Sequence, residues 1–327
     1  NPHYRPIKYS LFPPLGLGTL AGYLSEYDEV EIIDEHISGK REYEDTPDLV
    51  GIEVYITSAK RSYAIADAYR SRGVHVVLGG IHPTSMPEET LRHADTIITG
   101  PAEEAWPRFL QDFQNGIPAK QYVSQIRTLD HLPQIRRDLW KSQNYLVPNS
   151  IVVSRGCPHH CSFCYTSNFY KNGRSFYHLK ADRALSEIAA LPHRHLFFLD
   201  DNIFGNPEFS SALFQGMKGM RRIWQGAATV AGIQNKNLLK QAAESGVKSL
   251  FVGFETLNGK ALAKCNKKHN ETTEYEEAVH LLHDHGIMIN ASFVFGMDGD
   301  TMDTFKATVD WALANGIETA TFHLLTP

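Results

Sequence analysis

The stretch SIVVSRGCPHHCSFC, residues 150–164, joins a β-branched run to a loop that holds three of the chain's four cysteines. The run SIVVSRG predicts a strand, because β-branched runs bounded by turn residues are typical of strands. The cysteines follow with the spacing C-x3-C-x2-C and are Cys157, Cys161 and Cys164. In βα barrels the loops after the strands carry the active site, so the fold on either side of this stretch decides what the cysteines do.

Three closely spaced thiolates suit few metal centres. Zinc prefers four ligands, and only His159 or His160, inside the same loop, could supply the fourth. A cubane [4Fe–4S] cluster has four irons, so three protein thiolates leave one iron open to a small chelating ligand. Three cysteines cannot pair off in disulfides, and unligated thiols in a loop are prone to oxidation. The spacing therefore favours a cubane cluster over structural zinc.

Composition limits the class of protein. The chain has 327 residues, 42% of them apolar, and a formal net charge of −5. This length accommodates two domains with real cores. The acidic balance, without a Lys/Arg stripe, argues against nucleic acid as a partner. No apolar stretch reaches the roughly 18 residues of a transmembrane segment and no leader begins the chain, so we expect a cytoplasmic location.

The first part of the chain alternates β-branched runs with helical patterns. Such alternation predicts a parallel sheet covered on both faces, and hence a doubly wound domain. The predicted strands are 29–34, 49–56, 74–80 and 96–100, and the predicted helices are 15–26, 59–72, 87–93 and 102–113. Because such a domain normally begins with a strand, we expect a first strand upstream of residue 1.

The alternation restarts at residue 149 in a second register. Six strands with helical crossovers make three quarters of a (β/α)8 barrel, and the cysteine loop follows the first of them. The predicted strands are 150–156, 195–200, 226–232, 249–255, 288–296 and 319–325, and the predicted helices are 180–191, 209–222, 236–245, 272–286 and 301–315. We therefore expect a doubly wound domain over 1–115, a linker over 116–148 and a partial barrel over 149–327.

The run CPHHCSFC (157–164), placed after the first strand of a six-unit barrel, resembles the signature of the radical S-adenosylmethionine (radical SAM) superfamily. The resemblance implies that the three cysteines hold a [4Fe–4S] cluster. It implies that the amine and carboxylate of SAM chelate the fourth iron, and that electron transfer into SAM yields a 5′-deoxyadenosyl radical. An external electron donor such as a flavodoxin or ferredoxin is the implied partner.

The same resemblance suggests which residues contact SAM. It implies that Phe163 packs near the adenine and that polar groups at the end of the second strand, Asp201 and Asn202, hold the ammonium. An ordinary helix N-cap remains an alternative for those two residues. Glu255 directly follows an apolar run and is well placed to accept hydrogen bonds from ribose hydroxyls.

Two further positions in the barrel half are less distinctive. Gly296, in FVFGMDGDT (293–301), matches glycine-bearing turns that border the adenine in the superfamily, and it equally fits an ordinary turn. Cys265 stands alone, and a single cysteine at a helix end is most often a packing residue. The sequence does not identify which residues beyond the cluster ligands are catalytic.

The stretch DEHISG (34–39) spells D-x-H-x-x-G, the pattern with which one class of proteins ligates cobalamin through histidine. In that class the loop follows the first strand, and a helix and a second strand precede the serine. Only 18 residues separate Gly39 from Ser58 here. Short motifs outside their structural context are usually chance, so we do not predict His36 as a cobalt ligand.

A wider pattern is more informative. The runs PPLGLGTLAGYL (13–24), VVLGGIHPTSMPEE (76–89) and ITGPAEEAWP (98–107), with the cysteine loop, resemble the cobalamin-binding-domain branch of the radical SAM enzymes. Members of this branch often bind cobalamin without a histidine below the cobalt. A doubly wound sheet binds such ligands at the C-terminal ends of its strands. The predicted cobalamin contacts at three successive strand ends are Thr57, Ser58, Gly79, Gly80, His82, Pro83, Gly100 and Glu103.

Relatives commonly carry glutamate where this chain has Pro101, so that loop's contact with the ligand stays open. A domain that keeps the fold and binds no cobalamin is also an alternative.

The sequence thus predicts an α/β protein with an N-terminal doubly wound, Rossmann-like domain of the cobalamin-binding type, followed by a partial (β/α)6 radical SAM barrel. The resemblance implies a cobalamin-dependent radical SAM C-methyltransferase that is sensitive to oxygen and acts on an unactivated carbon of a small hydrophobic metabolite. Two alternatives stay open: a radical cyclase or carbon–carbon coupling enzyme that does not use methylcobalamin, and a non-catalytic iron–sulfur sensor.

Overall fold

The computed structural model describes residues 10–40, 42–125, 127–171, 173–267 and 269–326. These residues divide into two units. One comprises the described residues of Asn1–Pro148 and Asn168–Arg174, and the other those of Asn149–Ser167 and Ser175–Pro327. No helix in the described ranges combines the length and the apolar character needed to span a bilayer.

The first unit contains a parallel four-stranded sheet with helices on both faces. Its elements are α1 (Leu15–Ala21), α2 (Glu35–Ser38), β1 (Leu49–Glu53), α3 (Ala59–Arg70), β2 (His75–Gly79), α4 (Ile81–Ser85), α5 (Pro87–Thr90), β3 (Thr96–Thr99), α6 (Ala105–Gln114), β4 (Gln121–Val123) and two 3-10 turns, Arg137–Leu139 and Ser142–Asn144. The strand order is β1-β2-β3-β4. Val76 and Leu78 of β2 pack with residues of α3, whereas Val77 packs with residues of α6. Because strand residues alternate between faces, both faces of β2 are covered, as a doubly wound domain requires.

The strands predicted at 49–56, 74–80 and 96–100 are β1, β2 and β3, but the prediction of a strand over 29–34 is wrong. No described residue forms a ladder with 29–34, and Asp34 instead caps α2 by accepting a hydrogen bond from the His36 amide (2.9 Å). An alternating pattern indicates half-burial, whereas a strand also needs a neighbour to pair with.

Strand β4 lies in the segment that the sequence analysis assigned to the linker. It pairs in parallel with β3, with Tyr122 beside Ile98. The Tyr122 side chain is buried, its ring meets Phe109 edge-on at 5.7 Å, and its hydroxyl donates to Asp112 (2.6 Å). Three residues are too short for a periodic pattern, so only this packing defines the strand.

From residue 149 onward a six-stranded parallel sheet has the order β12-β11-β10-β9-β8-β5, which confirms the partial barrel. The elements are β5 (Ser150–Ile151), β6 (Ser154–Gly156), α7 (Tyr165–Phe169), β7 (Phe176–His178), α8 (Ala181–Ala190), β8 (His195–Phe198), α9 (Pro207–Met217), β9 (Ile223–Ala228), α10 (Val230–Ile233), α11 (Lys236–Ser245), β10 (Val247–Glu255), α12 (Gly259–Lys264), a 3-10 turn Thr272–Glu274, α13 (Tyr275–Asp284), β11 (Met288–Phe295), α14 (Met302–Ala314) and β12 (Thr319–Leu324). On β10, Leu250, Val252 and Phe254 are fully buried, while Ser249 and Phe251 point to the opposite face.

The strand predicted at 226–232 lies earlier, at Ile223–Ala228. Thr229 ends it, because its side chain accepts a hydrogen bond from the Gly232 amide (3.2 Å) and caps the short helix α10.

The strand predicted over 150–156 is divided in two. Strand β5 pairs with β8, whereas β6 pairs antiparallel with β7 in a separate two-stranded sheet. The cause is Asp200, whose carboxylate accepts hydrogen bonds from the amides of Val153 (3.2 Å) and Ser154 (2.5 Å). Those donors are therefore unavailable to a continuing β5 ladder. The cysteine loop thus follows β6.

Candidate active site

A residue in the turn after β8 forms hydrogen bonds with the backbone that precedes the cysteine loop. Asp200 is buried and accepts hydrogen bonds from the amide and the hydroxyl of Ser154, both at 2.5 Å, and from the Val153 amide. Burial raises the pKa of Asp200 to about 6, although these hydrogen bonds oppose the shift. Sequence reasoning missed Asp200. Its only signal was a second carboxylate beside Asp201 at a strand end.

The next two side chains reach the cysteine loop itself. Tyr165 directly follows the third cysteine, and its hydroxyl donates a hydrogen bond to Asp201 at 2.6 Å. Burial raises the pKa of the Asp201 carboxyl. Asn202 is buried, and its amide nitrogen lies 4.0 Å from the Cys157 sulfur. The structure therefore gives both residues, predicted as SAM contacts, a contact with the loop. Their binding role stays a prediction.

The three cysteines lie at different depths. Cys161 is 7% exposed, and Cys157 and Cys164 are half-buried. Burial raises the pKa of the Cys161 thiol to about 11 and that of Cys157 above its usual value. The Thr166 hydroxyl donates to the Cys164 sulfur at 3.1 Å, and the Ser167 hydroxyl donates to the Cys161 carbonyl at 3.0 Å. Hydrogen bonds to cysteine sulfurs tune the potential of an iron–sulfur cluster, so the Thr166 contact fits that chemistry.

Residues that follow α12 hold the loop from another side. The Ser162 amide donates to the Cys265 carbonyl (3.0 Å), and the Asn266 side-chain amide donates to the His160 carbonyl (2.9 Å). Cys265 also packs, together with Phe163, against a small apolar cluster of Ala261, Val294 and Met297. Cys265 is therefore positioned as a packing residue.

Two more contacts come from the same region. The rings of His159 and His269 stack with centroids 3.5 Å apart, and Lys267 Nζ lies 6.0 Å from the Phe163 ring centroid. Burial lowers the pKa of His269 to about 3. Sequence reasoning missed these contacts, because the partners are about a hundred residues apart and carry no motif.

The Glu255 carboxylate, which is predicted to accept hydrogen bonds from ribose hydroxyls, already has a cationic partner. Glu255 is buried with φ +67°, and its Oε1 pairs with Lys267 Nζ at 2.5 Å. Its role as a ribose acceptor stays a prediction. The Gly296 amide donates a hydrogen bond to the Asp300 carboxylate at 2.8 Å. This contact fits an ordinary turn, which is the alternative to a contact with the adenine of SAM.

At the C-terminal edge of the first unit's sheet, the β1–α3 turn is open. Tyr55 is 48% and Ile56 74% exposed, and Thr57 beside them is also exposed. The Ser58 hydroxyl hydrogen-bonds to the Tyr55 backbone. Apolar side chains exposed at the ligand-binding edge of such a sheet fit a large, flat cofactor.

Two of the predicted glycines have a conformational reason. Gly80 has φ +108° and Gly100 φ +74°, and a Cβ on Gly80 would lie 3.1 Å from the Val54 carbonyl. The backbone conformation therefore favours glycine at both positions, and their contact with cobalamin stays a prediction. Thr84, which sequence reasoning missed, joins them: its hydroxyl donates to the Gly80 carbonyl (2.7 Å) and accepts from the Gly100 amide (2.9 Å).

The remaining predicted cobalamin positions differ in exposure. His82 and Pro83 are buried, and the His82 Nε2 pairs with the Tyr63 hydroxyl at 2.8 Å. His82 is thus placed to support the turn. Gly79, within β2, and Glu103 are half-buried. Glu53, which was not predicted, ends β1. Burial raises its pKa, and it accepts a hydrogen bond from the Tyr55 hydroxyl at 2.9 Å.

The donor set fits an iron–sulfur cluster. Within the described ranges, no three His, Cys, Asp or Glu side chains surround a single metal-ion position. A cubane makes a different demand, because each thiolate binds its own iron. Three thiols on one loop, held by hydrogen bonds at both ends and with a donor on one sulfur, meet that demand.

Comparisons with known proteins match each half of the chain to a known family. Residues 151–312 match the family model described as the Radical SAM superfamily, and residues 9–110 match that of the B12 binding domain. The chain is 32% identical to bacteriochlorophyllide d C-12(1)-methyltransferase of Chlorobaculum tepidum, over 96% of this chain and 71% of that protein. It is 28% identical to the anaerobic magnesium-protoporphyrin IX monomethyl ester cyclase of Rubrivivax gelatinosus, over 97% of this chain and 64% of that protein.

Among solved structures, the chain resembles the radical SAM methyltransferase TsrM from Kitasatospora setae, solved with cobalamin and a [4Fe–4S] cluster bound. The TM-score is 0.79 at 19% identity, covering 96% of this chain and 72% of that one, so this likeness concerns the fold.

The cysteine loop and the match of residues 151–312 both indicate a radical SAM barrel. The doubly wound domain and the match of residues 9–110 both indicate a B12-binding domain. The 32% identical relative matches 96% of the chain and so extends over both domains. The cofactors are a [4Fe–4S] cluster and SAM in the barrel half and cobalamin in the first half. The chain belongs to the radical SAM enzymes that carry a B12-binding domain, a group to which methyltransferases belong.

Proposed function

We propose that this enzyme is a C-methyltransferase that acts on an unactivated carbon of a hydrophobic metabolite. The observation that supports this best is the 32% identity to bacteriochlorophyllide d C-12(1)-methyltransferase, which extends over 96% of the chain and therefore over both halves. Bacteriochlorophyllide d is accordingly the first substrate to test.

When bound, the cluster and SAM supply an organic radical that removes hydrogen from carbon, and cobalamin supplies the methyl group. In the proposal, Cys157, Cys161 and Cys164 are the cluster ligands. Asp200 fixes the backbone that enters their loop and Asp201 the residue that leaves it, so the loop is preorganised before any metal binds.

The remaining site residues keep proposed roles. Phe163, Asn202, Glu255 and Gly296 surround SAM, together with Asp201. For Glu255 the ion pair with Lys267 fixes the orientation of the carboxylate, because both side chains are buried. Because His82 and Pro83 are buried, we assign them the role of supporting the turn that contacts cobalamin. The proposed cobalamin contacts are Thr57, Ser58, Gly79, Gly80, His82, Pro83, Gly100 and Glu103.

The test is anaerobic turnover of the reconstituted enzyme with methyl-labelled SAM and bacteriochlorophyllide d. We expect label in the tetrapyrrole product together with 5′-deoxyadenosine. The variant Cys157→Ser serves as the control and should abolish both products. Deoxyadenosine without label in the product would refute methyl transfer.

A radical cyclase is the second candidate. The 28% identity to the magnesium-protoporphyrin IX monomethyl ester cyclase over 97% of the chain favours it as the alternative. Incubation with magnesium-protoporphyrin IX monomethyl ester distinguishes the two, because a cyclase forms an unlabelled cyclised product from it and a methyltransferase does not.

The proposal includes an external reductant such as a flavodoxin or ferredoxin, and a cytoplasmic location. None of the four cysteines is paired in a disulfide, which suits a reducing compartment.

A further inference from the structure

The concave face of the six-stranded sheet borders a cavity of about 360 Å³ that the roles above leave without an occupant. Among its wall residues, only Asp201 is also a proposed SAM contact. Its lining includes Phe197, Asp201, Gln225, Ser249, Phe251 and Asn290.

Strand register places these side chains in one continuous band. Phe197 of β8 lies beside Gln225 of β9, and Gln225 lies beside Ser249 of β10. Phe251, two residues further along β10, lies beside Asn290 of β11. Residues paired across neighbouring strands share a face, so Phe197, Gln225 and Ser249 form one row and Phe251 and Asn290 belong to the next row on the same face.

The polar groups of this band are available to a ligand. Among the residues that the structure describes, Gln225 and Ser249 make no hydrogen bond with another side chain, and Gln225 is exposed. Asn290 Oδ1 accepts a hydrogen bond from the Thr321 hydroxyl at 3.0 Å, which leaves its NH2 group to donate. The band therefore offers both donors and acceptors.

The charged residues that line the cavity in the described ranges are all acidic. None of the described residues that line it is Lys, Arg or His, and its acidic groups, Asp200 and Asp201, are turned to partners of their own. Two carboxylates with no cation in the described lining disfavour an anion through like-charge repulsion, whereas an uncharged group can use the amides and the hydroxyl.

The size of the cavity limits what it holds. At roughly 30 Å³ for each water-sized group, the space accommodates about a dozen such groups. That suffices for a ring with a short substituent, and it is smaller than most sites that enclose a whole cofactor.

We propose that this cavity is a specificity subsite, which binds an uncharged, hydrogen-bonding portion of the methyl acceptor and rejects carboxylates and phosphates. Gln225, Ser249 and Asn290 supply the hydrogen bonds, and Phe197 and Phe251 supply flat apolar walls. The inference rests on the proposed function, since the occupant is part of that reaction's substrate.

The test uses two probes that match in shape and differ in charge, indole-3-acetamide and indole-3-acetate. Their binding to the full chain carrying its cluster is measured by calorimetry. We expect the amide to bind about tenfold more tightly than the acetate. The substitutions Gln225→Leu and Asn290→Leu should each weaken amide binding by about 2- to 12-fold, the loss of one hydrogen bond.

Gln225→Lys adds the missing cation and should reverse the preference toward the acetate. The matched control is Gln215→Leu, an exposed position on α9, which should leave both affinities unchanged. Equal binding of the two probes, no binding of either, or an amide affinity insensitive to both leucine substitutions would overturn the proposal. Because the readout is binding, the methyl-labelling experiment can fail or succeed independently.

Discussion

The buried ion pair between Lys267 and Glu255 gives the sharpest prediction. The side chains are 6% and 10% exposed, and Nζ and Oε1 are 2.5 Å apart. Lys267→Met leaves the Glu255 carboxylate buried without its cation, and breaking such a pair costs about 3–5 kcal/mol. For a unit of this size the melting temperature should fall by roughly 6–20 °C. The double variant Glu255→Met/Lys267→Met should recover at least half of the loss, because an apolar pair of similar volume is tolerated.

The assay is thermal unfolding of the cluster-free full chain, followed by circular dichroism under anaerobic, reducing conditions. Lys264→Met is the matched control: Lys264 pairs at 3.6 Å with Asp298, and both side chains are largely exposed. Exposed pairs contribute about 0–1 kcal/mol. If Lys267→Met melts with this control, or if the double variant is no better than the single one, the ion pair does not stabilise the site as argued.

Three more outcomes follow from the structure. Cys157→Ser should reduce bound iron to background, whereas Cys265→Ser should retain it; loss of iron from both variants would contradict the ligand assignment. Thr84→Val removes two hydrogen bonds and should lower the free energy of unfolding by about 1–3 kcal/mol. It should also lower the amount of cobalamin retained after dialysis, whereas Thr84→Ser should preserve the stability and the retention. Because burial raises the pKa of Asp200 to about 6, the folded protein keeps a proton that the unfolded chain releases above about pH 4. Stability relative to Asp200→Asn should therefore fall as pH rises between these values, and parallel denaturation profiles would refute this.

Much of the fold could be predicted because its signals are local. The spacing of the cysteines is a local signal that predicts the cluster ligands. β-branched runs predicted β1 to β3 and the strands of the six-stranded sheet, although β9 begins earlier than predicted and the run at 150–156 forms two strands. The strand predicted over 29–34 failed because an alternating pattern does not show whether a partner strand is beside it. Strand β4 was missed because three residues carry no period.

The site was harder to predict than the fold because its contacts link distant residues. Asp200 bonds to Ser154, 46 residues away, and Lys267 pairs with Glu255 across a helix. Each residue looks ordinary in its own segment. The sequence therefore predicts strand-end side chains such as Asp201 and Asn202 as site residues, but it does not show that they contact the cysteine loop.

The most direct measurement of the central claim is the electron paramagnetic resonance spectrum of the anaerobically reconstituted, reduced enzyme, recorded before and after SAM is added. A cubane held by Cys157, Cys161 and Cys164 gives a [4Fe–4S] signal whose g values change with SAM, because SAM binds the iron that no cysteine occupies. A spectrum without a four-iron signal, or one that SAM leaves unaltered, would contradict the account.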